Sequence, residues 1–467
     1  MAEHTHDDSD YSIIDQAGMS LNHAPSGLYL PGIDSTTHRE AVRLCARDYL
    51  EHHVFFNHRG FHNHLNHHLL AVFTLGAPTT RLQEIFDLQK GMQRPSYSLE
   101  SEVDINDENF AQYFSDERHY PNFVRFFQRK LESAGDSWKK VACNYFFHPQ
   151  IFPLGMSGLF HPLIQFGYGL EFESQAITAT ALAQACVHSP SYNKLFSPDT
   201  FAEICSQPGK SNLSLMQLLE QIRQDQRKSD LDFTSEPYRH SGITAFAEEL
   251  AITYSKMWSL SPTKEAIDAK YHELLSTVAL IYGSLTKPGY QVVLHFVLMH
   301  CLTSAYFLPI IMDCLPLEKQ AKLLKAHCAA TLATFVVHGC PNLYITPEIS
   351  STDTHVAVSD SQGNINNQWL DVFAKAIANN DMHVAKVIRG LWRGSLLNAF
   401  PNEQPTCKDD YELPPPINWL YLARTTVDTI TADSFNDMDK QLKEGKYFWK
   451  FGVVGSDEFW KNQKFIK

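Results

Sequence analysis

From about Thr37 onward the apolar residues of this chain recur at the spacing of a helix, and runs alternating with the two-residue period of a strand are scarce. Leu65, Leu69, Val72 and Phe73 stand at i, i+4, i+7 and i+8, and Val384, Val387, Ile388 and Leu391 at i, i+3, i+4 and i+7. Each such stripe is one apolar helix face, which needs another face to bury it. The chain has 467 residues, 44% of them hydrophobic, no repeat of fixed period and no long flexible linker. The expected fold is therefore mainly α, a single large helical domain over residues 36–467 packed around a buried cavity. A polar arm, residues 1–35, precedes it, and Pro25-Ser26-Gly27 and Pro31-Gly32 make it partly extended. Tyr145–Gly158 reads as a loop, His355–Asn367 as a short hairpin or a loop, and Pro401–Pro416 as a lid or surface strap.

Charge and cysteine usage narrow the function. Lys and Arg number 39 against 52 Asp and Glu, a net charge of -13, so the chain has no broad field for phosphate backbones and no nucleic-acid partner is expected. The nine cysteines form no CxxC pair, against a zinc ribbon, a thioredoxin-like site or an iron–sulfur cluster, and for reduced thiols in a cytoplasmic protein. The opening MAEHTHDDSD lacks the apolar stretch of a secretory signal. Tyr290–Met312 is long enough to cross a bilayer, but it carries His295 and His300; a buried core helix, with no membrane partner, is the expectation.

Histidine is abundant, at 23, and seven fall between His52 and His68. If Phe61–Ala77 is one helix, His64 and His68 lie on one edge of its apolar stripe, a spacing at which two imidazoles can hold one metal ion, and His67 points to the opposite side. A solvated, His-rich helix start explains the same pattern. His161 stands in GLFHPLIQFGYGLEF; a core histidine is the ordinary reading, and Gly167-Tyr168-Gly169 lacks the third glycine and preceding strand of a dinucleotide site. His300 is followed one turn on by Thr303 and Ser304, which can orient an imidazole or a bound oxygen species. His295, about 140° away round a helix, cannot easily share its metal. His383 lies at the edge of the stripe of Val384, Val387 and Ile388, with Lys386 and Arg389 beyond. Lys386 is a solvated charge or, deprotonated or carboxylated, a metal ligand, since an ammonium is repelled by a metal ion. No GxSxG elbow, P-loop, kinase set or flavin or nicotinamide fingerprint is present.

Four stretches, HNHLNHHLLAVFTLGA from His62, GLFHPLIQFGYGLEF from Gly158, LMHCLTSAYFLP from Leu298 and DMHVAKVIRGLW from Asp381, resemble in content and order the questin oxidase-like family. These are fungal enzymes that oxidatively open anthraquinone rings in polyketide pathways, the aflatoxin-type oxidoreductases among them. The resemblance covers most of residues 50–395. It implies an all-helical fold and one retained histidine per motif, His64, His161, His300 and His383, as ligands of a shared metal, with carboxylated Lys386 a fifth. It also implies Baeyer–Villiger-like oxygen insertion, for which NADPH is a possible electron donor.

Oxidative chemistry without flavin or haem signatures points to Fe(II) over zinc. The expected function is an oxygenase that uses O2 at a non-haem iron to cleave a ring of a polycyclic phenol or quinone. Lys386, Arg389 and Thr303 are the candidate catalytic groups, Arg389 as partner of a phenolate. His68, Tyr168, Phe166, Phe296 and Trp392 are candidates to touch the substrate. Two alternatives stand beside it: an NADPH-dependent Baeyer–Villiger oxidase without bound metal, and a zinc-dependent hydrolase.

Overall fold

The computed structural model describes residues 8–466 except 23–26, 31–32, 58–59, 97–102, 207–212, 228–240, 352–366, 400–413 and 432–447. Most of the described chain is helical, as the periodicity predicts. The chain divides into two compact units. The first runs to Ser191 and takes back Pro309–Cys314; the second comprises Tyr192–Leu308 and Leu315 onward.

The first unit contains α1 (Asp8–Ala17), α2 (Ser35–Glu51), α3 (Leu65–Thr74), α4 (Thr79–Lys90), α5 (Tyr120–Ser133), α6 (Trp138–Phe146), α7 (Phe152–Gly155), α8 (Ser157–Glu171) and α9 (Gln175–Val187). Helix α9, between α5 and α8, is apolar or small on every side and buried along almost its whole length, as such a helix must be. Helix α5 turns Phe123, Phe126, Phe127 and Leu131 inward, each worth about 1.5–3 kcal/mol of burial. Two expectations change here. Residues 8–17, read as part of an extended arm, form α1 against α2, because Ala17 and the following Met19 and Leu21 find buried seats. Tyr145–Gly158, read as a loop, holds the end of α6, all of α7 and the start of α8, with Pro153 in the first turn of α7, where its missing N–H breaks no helical hydrogen bond.

The second unit contains α10 (Pro198–Cys205), α11 (Leu215–Gln224), α12 (Ser241–Ser255), α13 (Lys264–Gly283), β1 (Leu294–His295), α14 (Phe296–Ala305), α16 (Leu317–Val337), α17 (Pro347–Ser350), α18 (Gln368–Ala378), α19 (Val384–Ala399), α20 (Trp419–Thr429) and β2 (Trp449–Lys450), while α15 (Leu308–Met312) belongs from Pro309 on to the first unit. Helix α16 lies against α12 and α13, and α19 against α14, α18 and α20. β1 and β2 pair in parallel, Leu294 with Trp449 and His295 with Lys450. The apolar run from Tyr290 is broken into β1, α14 and α15, and among the described residues no helix is long and apolar enough to cross a membrane. The possible hairpin at His355–Asn367 and the strap at Pro401–Pro416 lie almost wholly outside the described residues.

Candidate functional site

In the first unit His64 sits one residue ahead of α3, with φ −111° and ψ 5°, so the helical wheel that paired it with His68 does not apply to it. Its Nδ1 donates to the His62 carbonyl at 2.6 Å, and its Nε2 faces His161 Nε2 at 2.8 Å. His161 is presented by a left-handed turn of Gly158, Leu159 and Phe160, with φ of 53°, 57° and 63°. Two side-chain-bearing residues in that region cost about 1–2 kcal/mol each. Local hydrogen bonds offset this. The Gly158 N–H donates to Ser191 Oγ at 3.1 Å, the Ser191 N–H to Ser157 Oγ at 3.0 Å, and His161 Nδ1 to the Gly158 carbonyl at 2.5 Å.

The His62 ring stacks on His161 at 3.9 Å and 9°, and on His188 at 5.1 Å and 11°. His67, expected on the far side of a helix from His64, stands edge-on to it at 5.7 Å. The early start of the wheel explains the error. Gln165 donates to Thr180 Oγ1 and Thr180 to the Ile177 carbonyl, which leaves Gln165 Oε1 to accept the His67 Nε2 proton at 2.5 Å. Tyr168 stacks on His67 at 5.0 Å. His68 Nδ1 accepts from the Gln89 amide at 2.8 Å, and Phe166 stacks on Phe146 in the core.

In the second unit His300 and His383 come together. Their rings are 5.4 Å apart and each offers a ligand nitrogen within 4.8 Å of the other's. His300 Nδ1 donates to the Phe296 carbonyl one turn back, at 2.8 Å. His383, just ahead of α19, donates from its backbone N and from Nδ1 to Asp381 Oδ1, at 2.8 and 3.1 Å, and Trp449 Nε1 donates to Asp381 Oδ2 at 2.9 Å. Burial alone would raise the Asp381 carboxyl; the hydrogen bonds it accepts from His383 and Trp449 outweigh that and hold it below the usual range. His383 is pushed down to about 4 by burial first and the neighbouring Lys386 charge second, against the pull of Asp381, so it is neutral at pH 7. Lys386 is 3% exposed, not solvated, its Nζ has no hydrogen-bond partner among the described residues, and burial brings it down to about 7.

The Phe296 ring stands edge-on to both His300 and His383 at 4.9 Å, with Phe451 at 4.7 Å on it. Arg389 donates to Tyr306 Oη at 2.6 Å, with its guanidinium over that ring. Thr303 Oγ1 returns to the His300 carbonyl at 3.4 Å, and Trp392 packs on Phe373 at 4.9 Å.

The donor chemistry suits a metal ion. At His64, His161, His300 and His383 alike, Nδ1 meets an oxygen that can only accept, so the proton sits there and Nε2 carries the lone pair, the form in which imidazole binds metals. His64 and His161 then turn two lone pairs toward each other, an arrangement that only a proton or a cation relieves. Two nitrogen ligands of one ion, each about 2.0–2.1 Å from it, stand about 3 Å apart. Sequence reasoning missed His62, His188, Asp381 and Trp449. Asp381 alone had a local signal, an Asp two residues before a helical histidine.

The chain belongs to the questin oxidase-like family, whose model matches residues 61–391. It is similar to the Baeyer-Villiger oxidase AgnL3 of Paecilomyces divaricatus, at 29% identity over 86% of this chain and 88% of that protein. It is similar also to the oxidoreductase AflY of Aspergillus parasiticus, at 26% identity over 92% and 86%, and to the questin oxidase of Aspergillus terreus, at 26% over 90% and 91%. Membership of that family makes the chain an oxidoreductase.

Proposed function

We propose that this chain is an oxygenase that opens a ring of a polycyclic aromatic polyketide, an anthraquinone or its hydroquinone, in fungal secondary metabolism. O2 is the oxidant, and His64, His161, His300 and His383 are the ligands of a non-haem iron. Family membership carries the oxidative half of this reading; the shared Nδ1–H state of the four histidines supports the metal half. The hydrolase alternative draws no support from the three relatives named above, an oxidoreductase and two oxidases.

A ferrous ion supplies the electron exchange that ground-state O2 needs to react with a closed-shell ring. The protein's part is to hold ligands, proton and ring. Four neutral imidazoles leave the charge of a divalent ion uncompensated. Lys386, buried and brought down to about 7, is suited to add CO2: the neutral amine forms an N–C bond with CO2, one proton leaves the nitrogen, and the side chain becomes an anionic oxygen donor. Phe296 offers an aromatic edge beside His300 and His383 for a flat substrate. The electrons balance in two ways. From a hydroquinone, both atoms of O2 enter the product and no other reductant is needed. From a quinone, one atom enters beside the carbonyl and the other leaves as water, with two electrons from a donor such as NADPH.

Iron content should be measured in the native protein and in H161A and H383A, with and without bicarbonate during anaerobic reconstitution with Fe(II). About one iron per chain is expected, lost in both variants and reduced without bicarbonate. Turnover of an anthraquinone by iron-free native protein would sink the metal half. Iron-loaded protein inert toward anthraquinones and their hydroquinones under O2 would sink the substrate assignment.

A further inference from the structure

His383 is held from outside its own helix. The carboxylate it donates to, Asp381, is 1% exposed and accepts from the His383 N–H, His383 Nδ1 and the Trp449 indole. With the indole on Oδ2, the rotation of the carboxylate is fixed and Oδ1 stays aimed at the imidazole. Without it, a buried anionic carboxylate loses one of its charge-assisted hydrogen bonds, which weakens the hold on its rotation. The indole is itself anchored. Trp449 belongs to β2, paired with β1, and the next residues continue to Gly452, whose carbonyl accepts from His295 Nε2 and His338 Nδ1, both at 2.9 Å. β1 runs directly into α14, the helix of His300. One two-stranded ladder therefore sets the start of the His300 helix and the position of the indole that orients His383. Trp449 lies beyond residues 61–391, the part that the family model matches.

We propose that Trp449 is a positioning residue for His383: through Asp381 it keeps the imidazole proton on Nδ1 and Nε2 available, and so sets the protein's affinity for a divalent metal. This inference rests on the metal reading above. Outer partners of metal-bound histidines commonly change affinity about 10–100-fold.

The test is a Co(II) titration of the metal-free full-length protein, W449F, D381A and W449F/D381A, with thermal unfolding of each metal-free form. W449F should bind Co(II) about 10-fold more weakly than the native protein, while D381A and the double variant bind equally weakly. Native affinity in W449F overturns the proposal. So does an equal loss when W449F is added to D381A, since Trp449 would then act by packing and not through the carboxylate. Ring 15N spectra of the native metal-free protein, with His383 assigned by its loss in H383Q, give an answer even if W449F fails to fold. A proton on Nδ1 is expected, and one on Nε2 overturns the proposal. Native protein that takes up no Co(II) overturns the metal reading and this inference with it; native protein that binds while W449F binds equally overturns this inference alone.

Discussion

At Gly158 a Cβ would stand 2.0 Å from His188 Nε2, and φ is +53°. Two costs coincide there, a clash with a ring already stacked on His62 and a backbone region that side chains disfavour. G158A is expected to lower unfolding free energy by about 1–3 kcal/mol. Adding H188A should return only part of that, because the backbone cost stays. Guanidinium melts of the two variants check this, and a G158A midpoint equal to native would refute it. The same turn marks where residue-level reading stopped. The motifs single out His64, His161, His300 and His383, but not their partners. His64 lies before its helix, and His62 and His188 meet His161 only because three left-handed residues aim it. Periodicity carries no trace of such a turn.

Helices α8 and α9 meet at Gly169, where a Cβ would lie 2.3 Å from Thr178 Oγ1 and 2.8 Å from the Thr178 backbone N. The glycine read at first against a phosphate loop is thus a packing glycine. Alanine favours a helix over glycine by about 1 kcal/mol, yet overpacking costs about 1–3 kcal/mol, and a backbone atom cannot rotate away. The clash should win, so G169A is expected to melt several degrees below native in a thermal scan; an unchanged or raised midpoint would show that the two helices can move apart freely. Elements were legible wherever an apolar stripe repeated, as in α3 and α19. Helix α7 was hidden by its brevity and its proline, and α1 by a polar sequence whose apolar residues are few. The β1–β2 pair had no local signal, since two residues of strand depend on a partner some 150 positions away.

Across the whole chain, buried histidines give stability a pH dependence. Burial first pushes His53 down to about 4, with the Arg94 charge adding to it; burial also takes His338 to about 4 and His327 to about 3. Unfolded, each titrates near 6.5. Between about 6.5 and 4 the unfolded chain therefore binds protons that the folded one refuses, and stability falls as pH falls. The slope is up to about 1.4 kcal/mol per pH unit for each histidine. The urea midpoint of the metal-free protein should be lower at pH 5 than at pH 7.5, and equal midpoints would contradict the burial of these rings. At this scale apolar periodicity announces the helical class and motif order the family. The division into two units had no signal, because no proline- or glycine-rich linker marks it.

The first unit borrows Pro309–Cys314 from beyond a stretch of more than a hundred residues of the second. On the ribosome, which releases the amino-terminal part first, residues up to Ser191 therefore emerge without the segment that completes them. Ile311, fully buried in the finished protein, arrives only after all of α10 to α14 has been made. A gene divided between Ser191 and Tyr192 therefore separates the first unit from a segment that belongs to it, and a nascent chain stalled before Pro309 holds that unit without its last piece.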